Sequence, residues 1–462
     1  MEWVTSTLSD ISVIQSGSGF PKKYQGLTDE EYPFYKVSDM NLLGNEESLY
    51  FENNTISSKT RSTLKTSLFP VGSIIFPKVG AAIATNKKRI LTKIGCVDNN
   101  VMGVIPNESK IDSRFLYYWF QQQNLSEFAN EAALPSIKKT TVEKWPVSYP
   151  DSILEQKRIV SILDTVFADL EQARAKTEQN LKNARELMNV TFHGAITGKL
   201  TKQWREANKG IVTASELLVQ LKEQKKNLVS EKSISKEKAL PEISDEEVSY
   251  ELPETWKWCR LGEIGNAINY PFVDGPFGSS INTKKDYLEA GIPVLRMVNV
   301  KPFTFKNYNL KYVSEDKYQQ FTRHNVLPGD VLFSKVGAGT GESCVVPDDF
   351  SYGMLSTTGI TRIRVGQLVL NQYLCCFLNS NIEKFMVLAS KAAQPFLNMT
   401  QIKTFPFPLP PIEEQREIVL IIERLSTEIQ KVEAIYEKKL LALDELKKSI
   451  LQKAFSGELT HD

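Results

Sequence analysis

Two stretches of the chain carry mostly apolar residues at alternating spacings of four and three. The first runs through Ile159, Leu163, Val166, Leu170, Ala173, Thr177, Asn180, Ala184, Leu187 and Thr191. The second runs through Ile418, Ile422, Leu425, Ile429, Val432, Tyr436, Lys439, Leu443, Leu446 and Ile450. Sustained heptad spacing predicts two long helices sharing a coiled-coil seam. Ser152 with Glu155 has the pattern of a capping box, and Pro410–Pro411 sits at the start of the second helix. Gly198 and Gly457 stand where C′ glycines end helices. Asn180 and Lys439 interrupt the stripes at equivalent points, where one polar residue can set register. A helix of about 40 residues spans roughly 60 Å. Each helix packing only on its own globule is the simpler alternative; two matched stripes of equal length favour mutual pairing.

The remaining sequence changes period. Residues 1–150 and 251–410 mix short apolar runs with Gly, Pro, Asn and Asp punctuation. SIIFPKV and DVLFSKV read as strands bounded by turns, while DSRFLYYWFQQQN and LNQYLCCFLNSN read as helices. Both regions are predicted to be α+β globules, followed by long helices over 151–201 and 411–462. Residues 202–250 form a charged insert: ASELLVQLKEQKKNL has the pattern of a short amphipathic helix, and SEKSISKEKALPEISDEE reads as an exposed linker. The default reading of that charge run is a solvated segment.

The chain also repeats itself. EQKRIV (155–160) returns as EQREIV (414–419), and AITGKLT (195–201) as AFSGELT (454–460). Gln156 to Gln415 and Gly198 to Gly457 share one offset, 259 residues. FPVGSIIFPKVG (69–80) matches LPGDVLFSKVG (327–337), pairing Gly72 with Gly329, Lys78 with Lys335 and Gly80 with Gly337. This is a tandem duplication with a period far too long for a solenoid.

Charge then limits the function classes. With 56 Lys+Arg against 55 Asp+Glu among 462 residues, the net charge is +1, which excludes a broadly polybasic nucleic-acid coat. No run approaches 18 consecutive apolar residues and no leader pattern opens the chain, so a cytoplasmic protein without a membrane anchor is expected. The five cysteines contain no CxxC pair, so neither a disulfide framework nor a metal cluster is expected, and a reducing compartment fits. Catalytic signatures are equally thin. PDSILEQK (150–157) places Asp151 and Glu155 too close together at a helix start for a nuclease metal site, and the second copy lacks the aspartate. NYPF (269–272) lacks the first proline of a methyltransferase N-P-P-F loop, because Tyr270 replaces it. GAGTGES (337–343) is followed by VVPDDF rather than a helix and reads as a hairpin turn. His193 and His324 read as a helix-end and a surface histidine. No catalytic and no metal-binding residue is expected.

Two related globules on two matched helices imply a pseudo-two-fold molecule, and the insert favours antiparallel pairing. Such modules suit a duplex with local two-fold symmetry; because the globules differ in sequence, the target is expected to be bipartite and asymmetric. Residues 1–150 hold 16 basic and 15 acidic side chains, and 251–410 hold 16 and 13. Candidate phosphate contacts are Lys78 and Lys335 in the matched KVG turns and the clusters Lys87-Lys88-Arg89, Lys138-Lys139, Lys284-Lys285 and Arg362 with Arg364.

EQKRIV with AITGKLT, EEQREIV with AFSGELT, DGPFGSSI (274–281) followed by GIPVLRMVNV (291–300), and ELPETWKWCRLGEI (251–264) together resemble the specificity (S) subunit of type I restriction-modification systems. The resemblance covers nearly the whole chain. It implies two target-recognition domains, 1–150 and 251–410, separated by an antiparallel coiled coil. It further implies double-stranded DNA as ligand, with two modification (methyltransferase) and two restriction (endonuclease and translocase) subunits as partners in defence against foreign DNA. S-adenosylmethionine, ATP and Mg belong, on this resemblance, to those partners, and no cofactor to this chain. Gly275 and Gly278 fit a structural turn as well as a DNA contact. A coiled-coil scaffold with two protein-binding globules and no DNA role is the alternative.

Overall fold

The computed structural model describes residues 2–248, 250–265, 267–277, 280–366, 368–389 and 396–460. Gly278 and His461 lie outside them. The chain divides into two compact units, Met1–Asn180 with Tyr436–Asp462, and Leu181–Ile435. The units therefore do not follow the two halves of the sequence: each contains the start of one long helix and the end of the other.

In the first unit a five-stranded sheet has the order Ser12–Ser16, Val101–Pro106, Ile74–Pro77, Arg89–Leu91, Ser48–Leu49. A three-stranded sheet orders Thr55–Ile56, Tyr32–Tyr35, Cys96–Val97, and Trp3–Thr7 pairs antiparallel with Pro146–Pro150. The second unit repeats this plan. Its four-stranded sheet orders Phe272–Asp274, Ile360–Ile363, Val331–Ser334, Ser343–Val345, and Lys257–Arg260 pairs with Pro406–Leu409. The runs SIIFPKV and DVLFSKV are central strands, as their apolar content predicts. The two helices read from the sequence form at Ser113–Gln122 and Asn371–Ser380. GAGTGES is a hairpin connection, since Val331–Ser334 and Ser343–Val345 pair antiparallel around it.

One close approach recurs in both units. A Cβ on Gly17 would stand 2.0 Å from the Asp98 carbonyl oxygen, and a Cβ on Gly275 would stand 2.0 Å from that of Thr357. Only glycine lets these backbones touch. Gly275 of the DGPFG segment is therefore held by packing.

The long helices span Ile153–Ile196 and Ile412–Phe455. Within the first unit they run antiparallel: Arg174 pairs with Asp444 at 2.5 Å and Glu171 with Lys447 at 3.0 Å. Within the second unit Arg185 meets Glu433 at 3.6 Å, and Ser426 Oγ lies 3.6 Å from Met188 Sδ. These exposed pairs contribute little energy; apolar burial does more. Ile159, Leu163 and Phe167 share one core with Phe76, Phe120, Trp145, Leu451 and Ala454. Ile418 and Ile422 share the other with Phe192, Ala195, Ile196, Phe333, Phe377 and Phe407. Globule packing and helix pairing thus coexist, and Ile159, Leu163, Ile418 and Ile422 serve the globule cores. Val166, Leu170 and Leu425 are half-buried and Ile429 is buried.

Further along, Thr177, Ala184, Thr191, Tyr436, Leu443 and Ile450 stay buried or half-buried as the heptad reading places them, while the alternate position slips by one residue. Leu187, Val432, Lys439 and Leu446 are exposed, whereas Met188, Glu433, Leu440 and Lys447 face inward. An α-helix of 3.6 residues per turn drifts away from a strict seven-residue repeat. Lys439 consequently does not interrupt the inward stripe.

The insert is more ordered than a solvated segment. Thr213 caps a helix, Ala214–Ser230, whose Ala214, Leu218 and Leu221 enter the second core. The stretch beyond it is clasped by buried Arg260, which donates to the carbonyls of Pro241 (2.9 Å) and Glu242 (2.5 Å) and pairs with Glu247 at 2.6 Å. Residues with equal numbers of positive and negative charges look solvated in sequence, but three apolar side chains on one face suffice to dock this helix.

The repeated glutamines join helix to globule. Gln156 is fully buried; its Oε1 accepts the Asp112 N–H (2.7 Å), and its Nε2 donates to the carbonyls of Lys110 (3.0 Å) and Pro150 (2.8 Å). Gln415 repeats this with the Leu370 N–H (2.9 Å) and the carbonyls of Leu368 (2.8 Å) and Pro410 (2.9 Å). Gln415→Met keeps the volume but strands three polar groups. We expect a loss of about 2–4 kcal/mol in urea unfolding, with faster hydrogen exchange at the Leu370 amide, and a loss of similar size for Gln156→Met.

Candidate nucleic-acid interface

The eleven cations singled out by sequence separate into interior and surface groups. Lys335 is buried on the strand end that carries the second KVG turn, and its Nζ lies 2.6 Å from Asp274 Oδ2. Lys78, its repeat partner, is half-buried and donates to Ser16 Oγ at 3.0 Å. Burial pushes the Lys78 ammonium below its ordinary pKa, against the opposing pull of Asp98. Ser16 and Asp274 both end the first strand of their sheets, so the matched lysines make matched bridges across the sheet.

Lys88 and Arg89 are buried. Lys88 Nζ donates to the Gln123 carbonyl at 2.6 Å; Arg89 donates to the carbonyls of Lys88 (2.8 Å) and Met40 (3.0 Å). Desolvation brings the Lys88 pKa down to about 8 and also lowers that of Arg89. Arg362 is buried as well, donating to Asn325 Oδ1 (2.9 Å) and the Tyr270 carbonyl (2.6 Å), and burial lowers its pKa to about 10. Arg364 forms a bidentate pair with buried Asp330, both contacts at 2.6 Å. The phosphate-facing reading of Lys88, Arg89, Lys335 and Arg362 therefore gives way to an internal role: their donors already hold protein carbonyls and a carboxylate.

The other candidates are at the surface. Lys87 is half-buried and bonds Asn41 Oδ1. Lys284 and Lys285 are exposed on a tight turn in which Asp286 Oδ2 accepts the Asn282 N–H at 2.6 Å. Lys138 and Lys139 are exposed, and Lys139 lies 3.5 Å from Glu143.

A cleft that the sequence did not single out lies in the second unit. A cavity of about 800 Å³ is lined by Tyr270, Asp274, Phe277, Arg323, His324 and Lys335, among others. The Arg323 guanidinium sits 4.0 Å from the centre of the Tyr270 ring, a cation–π contact that orders both groups. Tyr270 is in the left-handed region at φ +59°, and its carbonyl is tied by Arg362. His324 Nδ1 lies 2.6 Å from the Asp274 carbonyl, and burial lowers its pKa. Arg323 and His324 stand together in the sequence, but their tie to Tyr270 and Asp274 is formed only by the fold. His193 is exposed, and its carbonyl accepts the Thr197 N–H.

Among the described residues, no group of three or more His, Cys, Asp or Glu side chains is arranged to hold a metal ion, and no helix is long and apolar enough to cross a membrane. The five cysteines are buried and free.

Lys88 offers a test of its interior role. The folded chain releases the Lys88 proton near pH 8, whereas an unfolded lysine holds it to about 10.5. Between those values the unfolded chain binds more protons, so stability rises with pH. We expect Lys88→Met to remove this rise, seen as a wild-type-minus-variant difference in thermal unfolding that changes between pH 8 and 10.5.

The sequence signature of the type I restriction modification DNA specificity domain matches residues 1–179 and 253–438. The chain is 23% identical over 466 residues to the type I restriction enzyme EcoBI specificity subunit of Escherichia coli, covering 99% of this chain and 86% of that one. In structure it resembles the HsdS subunit from Thermoanaerobacter tengcongensis with a TM-score of 0.56 at 16% identity, covering 99% and 97% of the two chains. A chain from a structure addressing complex assembly and conformational transition of the type I R-M system gives a TM-score of 0.66 at 16% identity, covering 99% and 98%.

Proposed function

The chain belongs to the type I restriction-modification specificity subunit family, and on that premise we propose that it reads a bipartite, asymmetric site on double-stranded DNA, one half-site per globule. It acts without catalysis of its own and docks two modification and two restriction subunits. S-adenosylmethionine, ATP and Mg enter through those partners, in the cytoplasm. The observation that carries this reading is one framework built twice with different exteriors. Sheet order, the Gly17/Gly275 approach and the Gln156/Gln415 joints all recur, whereas the exposed side chains do not.

Phosphate contact falls to the cations left outside, Lys284 and Lys285 in the second globule, and exposed Lys138 and Lys139 with the part-exposed Lys78 and Lys87 in the first. Lys284→Ala with Lys285→Ala is expected to weaken binding to all duplexes alike and to flatten the salt dependence by about one unit of slope per lysine in contact. Titrations at several salt concentrations read this directly.

The decisive experiment is genetic. The chain is produced with its modification subunits and methylated adenines are mapped across a genome. Exchanging residues 1–150 for those of a relative should change one half-site and leave the other. Methylation independent of this chain would return it to the status of a scaffold; simultaneous change of both half-sites would overturn the one-globule, one-half-site assignment.

A further inference from the structure

Two matched loops, one per globule, share a pinned base and differ at their tips. Both follow a strand of the pattern x-Pro-x-x-cation: YPFYK at 32–36 and IPVLR at 292–296. In the first globule Asp39 is fully buried. Its Oδ2 accepts the Lys36 N–H at 2.7 Å, and its Oδ1 accepts the backbone and side-chain N–H of Asn53 at 3.0 and 2.8 Å. Asn45, also fully buried, donates to the carbonyls of Asp39 (2.9 Å) and Phe51 (2.7 Å) and accepts the N–H of Tyr50 (2.9 Å). In the second globule Asn299 takes the place of Asp39. It accepts the Arg296 N–H at 2.9 Å and donates to the carbonyls of Lys306 (2.8 Å) and Tyr308 (3.1 Å).

Above these collars the sequences part: LLGNEESLYF (42–51) against VKPFTFKNYNL (300–310). The first tip exposes Leu43 at 90% and Tyr50 at 55%, and the second exposes Tyr308 at 64%. A backbone fixed by buried amides that still holds large rings in water is organised for a partner and loses little further freedom on binding. Cations flank both tips: Lys87 at the base of the first, bonded to Asn41, and Lys306 and Lys311 on either side of Tyr308. Positive charge around a protruding ring complements a phosphate-lined groove whose base edges offer hydrogen-bonding groups and thymine methyl groups.

We infer that loops 42–51 and 300–310 are the base-reading elements of the two globules, with Tyr50 and Tyr308 as specificity-determining side chains for opposite half-sites. The inference rests on the DNA-reading function proposed above. A constant collar with a divergent tip is what a duplicated reader needs: the tip changes its target while the fold beneath it stays satisfied.

The test uses the full chain assembled with its modification subunits. Wild type, Tyr50→Ala and Tyr308→Ala are titrated against a duplex carrying the mapped site and against a scrambled duplex, and methylated sites are mapped for each. Because both rings project into water, the substitutions leave packing intact, and thermal unfolding verifies this. We expect each variant to bind the mapped duplex about tenfold more weakly and the scrambled duplex unchanged, with relaxed methylation specificity in one half-site, a different one for each variant. Unchanged affinity and specificity in both variants overturns the inference while leaving the DNA-reading function standing. Equal weakening on both duplexes also overturns it, since that marks a backbone contact. A wild-type complex with no preference for the mapped duplex overturns both.

Discussion

The start of a long helix and the edge of an α+β globule each leave backbone groups without partners, and a single carboxamide at each joint satisfies three of them. Gln156 and Gln415 each offer one acceptor to an N–H and two donors to carbonyls. Among side chains of this length, only an amide carries both functions: a glutamate has no donor for the carbonyls, and a lysine has no acceptor for the N–H. The N–H in each case belongs to the residue capping the globule's own helix, Asp112 or Leu370. The glutamine therefore fixes the long helix against that shorter helix and against the strand that leads into it. Unpaired, these buried groups would each cost about 1–3 kcal/mol, so the angle at which each helix leaves its globule is strongly determined.

Everything downstream of that joint inherits its direction. Once the helix starts are fixed, antiparallel running brings the C-terminal turns of the other helix into each core, and Leu451 and Ala454 complete the first as Ala195 and Ile196 complete the second. Neither globule core is closed by its own sequence segment alone. The residue after the joint is exposed in both copies, Lys157 and Arg416, and the residue before it, a glutamate in both, has different surroundings in each. Glu155 pairs loosely with Arg158 at 3.8 Å, whereas Glu414 is fully buried and holds Thr201 Oγ1 (2.6 Å), Trp256 Nε1 (2.8 Å) and Arg205. The same two-letter motif thus anchors the insert in one copy and makes only a loose local pair from a half-buried glutamate in the other.

Legibility in the sequence followed the range of the physics involved. The strands, both short helices and the long helices were readable because periodicity records which side of an element is dry. The inner stripe was readable at most of its positions, Thr177, Thr191, Tyr436, Leu443 and Ile450 included, but a period inferred as 3.5 accumulates error against a helix of 3.6 and misplaced every second position of its later turns. That moved Val432 and Leu446 outward and Glu433 and Lys447 inward. The candidate site was far less legible. A lysine is written the same way whether it meets water or, like Lys88 and Lys335, an internal carbonyl or carboxylate. The collars of Asp39 and Asn299 were equally hidden, because an acid and an amide in unaligned loops give no shared pattern until their backbone partners are known.

Near-neutral composition takes on a different meaning once the cations are located. Arg260 alone ties Pro241, Glu242, Glu247 and Thr404, and Arg89, Arg362 and Arg364 bind inner carbonyls or carboxylates in the same way. A guanidinium fork suits this work because it satisfies several acceptors with one side chain. Cations employed inside a globule contribute little to long-range attraction for a polyanion, which depends on charges able to displace counterions. On the proposed function, the exterior therefore supplies a modest, salt-sensitive attraction, and discrimination has to come from short-range contacts of fixed geometry. The pinned loops meet that requirement: they carry few charges, hold their backbones by buried amides, and present rings whose interactions with a base depend on shape and sequence rather than on the phosphate charge.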